Sequence, residues 1–88
     1  MEHVADEKSI KRHLEVLVSS MSSRGILYEE AITETKKVFI LHVLGECRGN
    51  QSRAARKLKM HRNTLTRTIN TLRMWQQVRN IRHETRAR

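Results

Sequence analysis

The stretch from Gly49 to Leu72 reads GNQSRAARKLKMHRNTLTRTINTL, two short helical patterns joined by a tight connection. The first opens at Asn50, a residue favoured at helix N-caps because its side-chain oxygen accepts from an unsatisfied backbone N–H. Gly49, just before it, suits the end of a preceding helix. Ala54, Ala55 and Leu58 then give a compact apolar stripe, with small residues where two helices can approach closely. Lys59-Met60-His61 makes a three-residue connection, with Met60 as the apolar plug beneath it. The second pattern is predicted to run from Arg62 to about Met74, with Leu65, Ile69 and Leu72 at i, i+4 and i+7. Its opposite side carries Asn63, Thr66, Arg67 and Asn70, with Arg62 and Thr64 near its start and Arg73 near its end. Two helices, a short turn, an apolar inner face and a basic outer helix are the parts of a helix-turn-helix.

Those residue types suit duplex DNA. The major groove admits one α-helix, and a helix N-terminus turns backbone N–H groups toward phosphate. An arginine can grip guanine O6 and N7 bidentately, worth ~1–3 kcal/mol of discrimination. Threonine and asparagine are short enough to touch phosphate, an adenine edge or a thymine methyl. A single arginine here would read as a solvated helix face. The constellation of Arg62, Asn63, Thr64, Thr66, Arg67, Asn70 and Arg73 reads as a groove-facing surface, with Asn50, Gln51, Ser52 and Arg53 anchoring phosphates from the first helix. His61, at the entry to the second helix, caps it or contacts phosphate.

Gly49 to Ala55, followed by Met60-His61-Arg62-Asn63-Thr64-Leu65, resembles the DNA-binding region of the Fis family. The same module ends many NtrC-type activators, and the Met-His-Arg-x-Thr-Leu run is similar to the effector domains of RegA/PrrA-type response regulators. The strong match covers residues 36–74, and a weaker helical match reaches back to about residue 9. The resemblance implies an all-α, four-helix domain: two N-terminal helices form a homodimer core and a C-terminal helix-turn-helix meets double-stranded DNA. It also implies DNA bending, and a bacterial transcription regulator or nucleoid-associated protein of the cytoplasm. One departure stands out: the family commonly has glycine where this chain has Lys59, and a non-glycine residue at a left-handed position is uncommon.

Composition sets the outer bounds. Eighty-eight residues make one domain with a modest core, and Tyr28, Phe39 and Trp75 are the whole aromatic set. A small helical chain with so few large side chains gains much by sharing a core with a second copy. The net charge of +9 is one-sided. Residues 1–45 hold six Lys/Arg against seven Asp/Glu, whereas residues 46–88 hold twelve against two. Charge confined to one half marks a polyanion-binding end joined to a neutral end with another task. Cys47 is the only cysteine, so no disulfide framework is expected and a reducing interior fits. No apolar run approaches transmembrane length and no signal peptide is visible.

Along the chain, residues 1–8 are expected to be a frayed lead-in. A helix follows from Ser9 to Met21, capped by Asp6 or Ser9, with Ile10, Leu14, Leu17, Val18 and Met21 on one stripe. Serines and Gly25 break it. A longer helix is predicted from Leu27 to Arg48. Leu27, Ala31, Ile32, Thr35, Val38, Phe39, His42, Val43 and Cys47 mark one side, and Ile40, Leu41 and Leu44 widen the apolar surface. That breadth exceeds what one short neighbour covers and fits either the central helix of a monomeric bundle or a dimer core; the resemblance and the small size of the chain favour the dimer. Residues 75–88 hold four arginines and one acid, and family members often stop before them. Trp75, Val78 and Ile81 can prolong the last helix by a turn or two, with the final four or five residues mobile. Arg79, Arg82, Arg86 and Arg88 either meet phosphates flanking the site or form a solvated tail.

Other chemistry finds little support. The five histidines are scattered and make no i, i+4 metal pair with Cys47, and neither a phosphate-cradling loop nor a catalytic set is present. The expectation is no enzyme, no metal or cofactor, no membrane and no small-molecule ligand. Two rivals remain: the DNA-binding output domain of a longer activator, and a basic adaptor that binds an acidic protein. RNA binding is disfavoured by the few aromatics available for stacking on bases.

Overall fold

The computed structural model describes the backbone of residues 6–86 and side chains through Glu84. Within that range the chain is all-helical: α1 Glu7–Ser23, α2 Tyr28–Glu46, α3 Gln51–Lys57, α4 Arg62–Thr71 and α5 Trp75–Arg86. Five helices stand among the described residues, one more than the family resemblance implies. Two compact units divide between Ile32 and Thr33, so α2 begins in the first and has most of its length in the second.

In the first unit, Asp6 caps α1, its Oδ1 accepting from the Ser9 N–H at 2.8 Å. The helix therefore starts at Glu7, two residues before the start expected from the apolar stripe. No residue of α1 is buried. Ile10, Leu14, Leu17 and Val18 are each half exposed or more, a continuous apolar stripe along the helix. At the entry to α2 the Leu27 N–H donates to Glu30 Oε1 at 3.0 Å, half of a capping box.

In the second unit, the core is built from Ile40, Val43, Leu44 and Cys47 of α2, Ala54 and Ala55 of α3, Leu65 and Ile69 of α4, and Met74 and Val78. Leu41, Leu58, Met60, Leu72, Trp75 and Ile81 pack around its margin. Ile40 and Leu44, expected to widen the α2 surface, are buried together with Val43 and Cys47 of the expected side. Val38 and Phe39 are each 61 % exposed. The broad stripe of α2 has one side in the core of this unit and another that is open.

Helices α1 to α4 all end in the same hydrogen-bonded hook. The Ile26 N–H reaches Met21 O at 3.0 Å, Gly49 reaches Leu44 at 2.8 Å, Met60 reaches Ala55 at 2.9 Å and Met74 reaches Ile69 at 3.0 Å. Each hook needs a left-handed residue, and these are Gly25, Arg48, Lys59 and Arg73, with Gly49 left-handed as well. Gly49 admits no side chain: an added Cβ would lie 2.5 Å from Arg82 Cγ. Arg73 corrects the expected course of the chain. The last helix of the motif stops at Thr71 instead of running to Met74, and residues 75–86 form a separate helix, not an extension. That helix returns Val78 to the core, and Arg82 Nε donates to Gly49 O at 3.3 Å.

Lys59 (φ +59°) stands where glycine would cost nothing. A left-handed L-residue costs about 1–2 kcal/mol, and its charge at a helix C-terminus returns only about 0.3–1 kcal/mol. Lys59→Gly is therefore expected to stabilise the fold by about 0.5–1 kcal/mol, a rise of a few degrees in Tm. Thermal unfolding followed by circular dichroism checks this; a lower Tm would show that the lysine charge outweighs the strain.

Candidate nucleic-acid interface

The start of α3 is fixed by Asn50, whose Oδ1 accepts from the Arg53 N–H at 3.0 Å. Ser52 and Arg53 are exposed beside it. Gln51 is not brought to that surface. It is 6 % exposed, and its Oε1 accepts from Thr66 Oγ1 at 3.3 Å. Its amide ties α3 to α4 from within, which is a positioning task and not a reach toward phosphate. Thr66, half-buried, is its partner in that tie.

The start of α4 is fixed by His61, whose Nδ1 accepts from the Asn63 N–H at 3.1 Å. Of the two roles open to His61 in sequence, the structure gives it the cap. Leu65 and Ile69 are completely buried, while Arg62, Asn63, Thr64, Arg67 and Asn70 on the same helix are exposed. Hydrophobic burial of two side chains one turn apart decides which way α4 is rolled, and that roll presents its polar face outward. Asn70 Oδ1 accepts from Trp75 Nε1 across the Arg73 turn. Arg73 is exposed and left-handed.

Two further cations flank the motif. Arg48 and Lys59 are exposed at the C-terminal hooks of α2 and α3. The left-handed turn at Lys59 is signalled by the glycine common there in the Fis family, whereas that at Arg48 has no sequence signature. Of the tail arginines, Arg82 bonds Gly49 O and Arg79 donates to Gln76 Oε1 at 3.0 Å. The Arg86 side chain, and Arg88 with the mobility expected at the chain end, lie outside the described residues.

The charge around the motif is unopposed. No acidic residue occurs between Glu46 and Glu84. Glu46 itself is engaged by Lys57 Nζ at 2.6 Å and by His42 Nε2 at 3.3 Å. The Lys57 hydrogen bond holds the Glu46 carboxyl below its usual range, and the same bond raises Lys57. The bridge links α2 to α3 across the span where both groups are charged. The Glu46 contribution is lost as pH falls through its lowered value, and the Lys57 contribution as pH rises through its raised one. Both groups are exposed, so the effect on stability is small. Among the described residues, no group of three His, Cys, Asp or Glu is placed to hold a metal ion. Among the described residues, no helix is long and apolar enough to cross a membrane.

Residues 32–72 match the family model of bacterial regulatory proteins of the Fis family. The chain carries a Fis-type helix-turn-helix. The matched segment begins within α2, takes in α3 and α4, and ends at Leu72, the C-cap of α4. A Fis-type motif is a DNA-binding element of regulatory proteins. Helix α5 lies wholly beyond the matched segment. No curated protein and no solved structure matches the chain.

Proposed function

We propose that the chain binds double-stranded DNA as a homodimer, inserting α4 of each copy into the major groove, and acts as a transcription regulator or nucleoid-associated protein of the bacterial cytoplasm. The observation that carries the groove reading is the division of α4: Leu65 and Ile69 fully buried, with Arg62, Asn63, Thr64 and Arg67 turned out on a motif of the Fis type. Arg62 and Thr64 read or brace the groove, with Asn63, Arg67 and Asn70 next to them. Ser52 and Arg53 hold the backbone from α3. The dimer is supported by the exposed stripe of α1, since contiguous exposed apolar surface marks an interaction site. Paired reading helices reach half-sites about 34 Å apart. A dimer that sets them closer makes the duplex bend, so that affinity depends on the stiffness of bases the protein never touches.

A mobility-shift titration at several salt concentrations, run beside a mass measurement of the free protein, tests this. Binding should weaken linearly in log–log form, with a slope near −0.9 per phosphate neutralised. Binding to an acidic protein but to no duplex would return the basic-adaptor reading. Arg62→Ala is expected to cost ~1–3 kcal/mol and to relax base preference at one position. An equal loss on every sequence would make Arg62 a phosphate contact.

A further inference from the structure

The bond between Trp75 and Asn70 joins a helix outside the Fis-type segment to a residue on the exposed face inside it. The indole N–H is a donor and nothing else, so the group it meets must be the amide oxygen of Asn70. The indole ring is half-buried at the margin of the core, and Val78 anchors the same helix one turn on. That anchorage makes Trp75 a rigid prop. With its oxygen held, Asn70 keeps its amide nitrogen, two N–H donors, for anything that approaches α4.

An unconstrained asparagine reads adenine with both halves of its amide, accepting from N6 and donating to N7. One whose oxygen already accepts from an indole is fixed in orientation and has one lone pair fewer to offer, so its two N–H donors become its main resource. Asn70 also lies in the last turn of α4, whereas residues at the start of a reading helix are the ones that reach base edges. We infer that Trp75 is a positioning residue that fixes the Asn70 amide so that its nitrogen donates to a phosphate oxygen of the DNA backbone. This rests on α4 facing DNA. The contact is neutral, so it strengthens binding without releasing a counterion.

Four variants of the full chain test it: Trp75→Phe, Asn70→Ala, the two together, and Val78→Ala. Trp75→Phe keeps an aromatic ring and removes the donor together with part of the indole's packing at the core margin, a loss for which Val78→Ala is the control. Each of the first two is expected to weaken duplex binding roughly three- to ten-fold, with the salt slope and base preference unchanged. The double variant should be no weaker than either single one. Val78→Ala loosens α5 without touching the bond. Read at a temperature where it is fully folded, it should bind as the wild type does. Full affinity in Trp75→Phe, additive losses in the double variant, or an equal loss in Val78→Ala would overturn the inference. So would a change of base preference in Trp75→Phe, which would place Asn70 on a base. If the wild-type chain binds no duplex, the DNA reading itself fails, and that outcome is distinct from all of these.

Discussion

A chain carrying Leu14→Glu together with Leu17→Glu is expected to sediment as a monomer and to lose roughly 100- to 10 000-fold in affinity for a two-half-site duplex. The size of the effect comes from linkage. When one copy is bound, the second reading helix is already held near its half-site at high effective concentration, and separating the copies discards that gain without removing one DNA contact. The monomer itself should suffer little. Leu14 and Leu17 are 55 % and 52 % exposed, no residue of α1 is buried, and glutamate is a good helix former. The measurements are sedimentation equilibrium and titration of duplexes carrying one or two half-sites. Under the dimer proposal the loss appears on the two-site duplex and nearly vanishes on the single site. The wild-type Tm should also rise with protein concentration while that of the variant stays fixed. A wild-type chain already monomeric at micromolar concentration would remove the dimer, and bending with it, and would leave the Fis-type motif untouched.

The sequence discloses the reading helix well and its ending badly, for one physical reason. Leu65 and Ile69 repeat at helical spacing, and that periodicity is the burial itself written along the chain. Asn50 and His61 are recognisable as caps because their side chains can meet backbone donors that every helix start leaves open. The end of α4 has no such signature. A left-handed residue is announced by glycine or asparagine, and the chain has Arg73 there. The apolar spacing of Trp75, Val78 and Ile81 carries straight over the break, so the pattern reads as one helix where the backbone makes two. Gln51 misleads in another way. A polar residue beside an N-cap reads as surface, and only the partner fifteen residues on, Thr66, shows why it is buried.

The same reasoning explains the two sides of α2. Its apolar residues are too many for one face, and the sequence alone does not say which of them the chain keeps for itself. Ile40, Val43, Leu44 and Cys47 do the internal packing. Tyr28 and Phe39, two of the three aromatic residues in the chain, stay exposed at 75 % and 61 %. In a chain this poor in aromatic surface, leaving two of them in water forfeits a large part of the available burial unless something covers them. That loss is the energetic case for a second copy, and it is independent of the α1 stripe.

Ile69→Ala is expected to separate folding from recognition at the centre of the motif. Ile69 has no exposed surface and lies in one core with Leu65, Met74 and Val78. Truncating such a side chain costs about 2–5 kcal/mol, the lost transfer energy plus the cavity left behind. A domain of this size has roughly 4–13 kcal/mol in all, so the change removes a large share of its stability and should lower Tm by roughly 10 °C or more. Arg62→Ala makes the opposite partition: an exposed substitution within about 0.5 kcal/mol of neutral for stability, yet costly for binding. Duplex affinity of Ile69→Ala should therefore track its folded fraction and return nearly to the wild-type value at a temperature where the variant is fully folded. Arg62→Ala should stay weak at every temperature. Circular dichroism and a DNA titration over the same temperature series decide the matter. If Ile69→Ala binds weakly while fully folded, α4 has rolled on its bed without melting. The buried pair would then set the aim of the reading face as well as its stability.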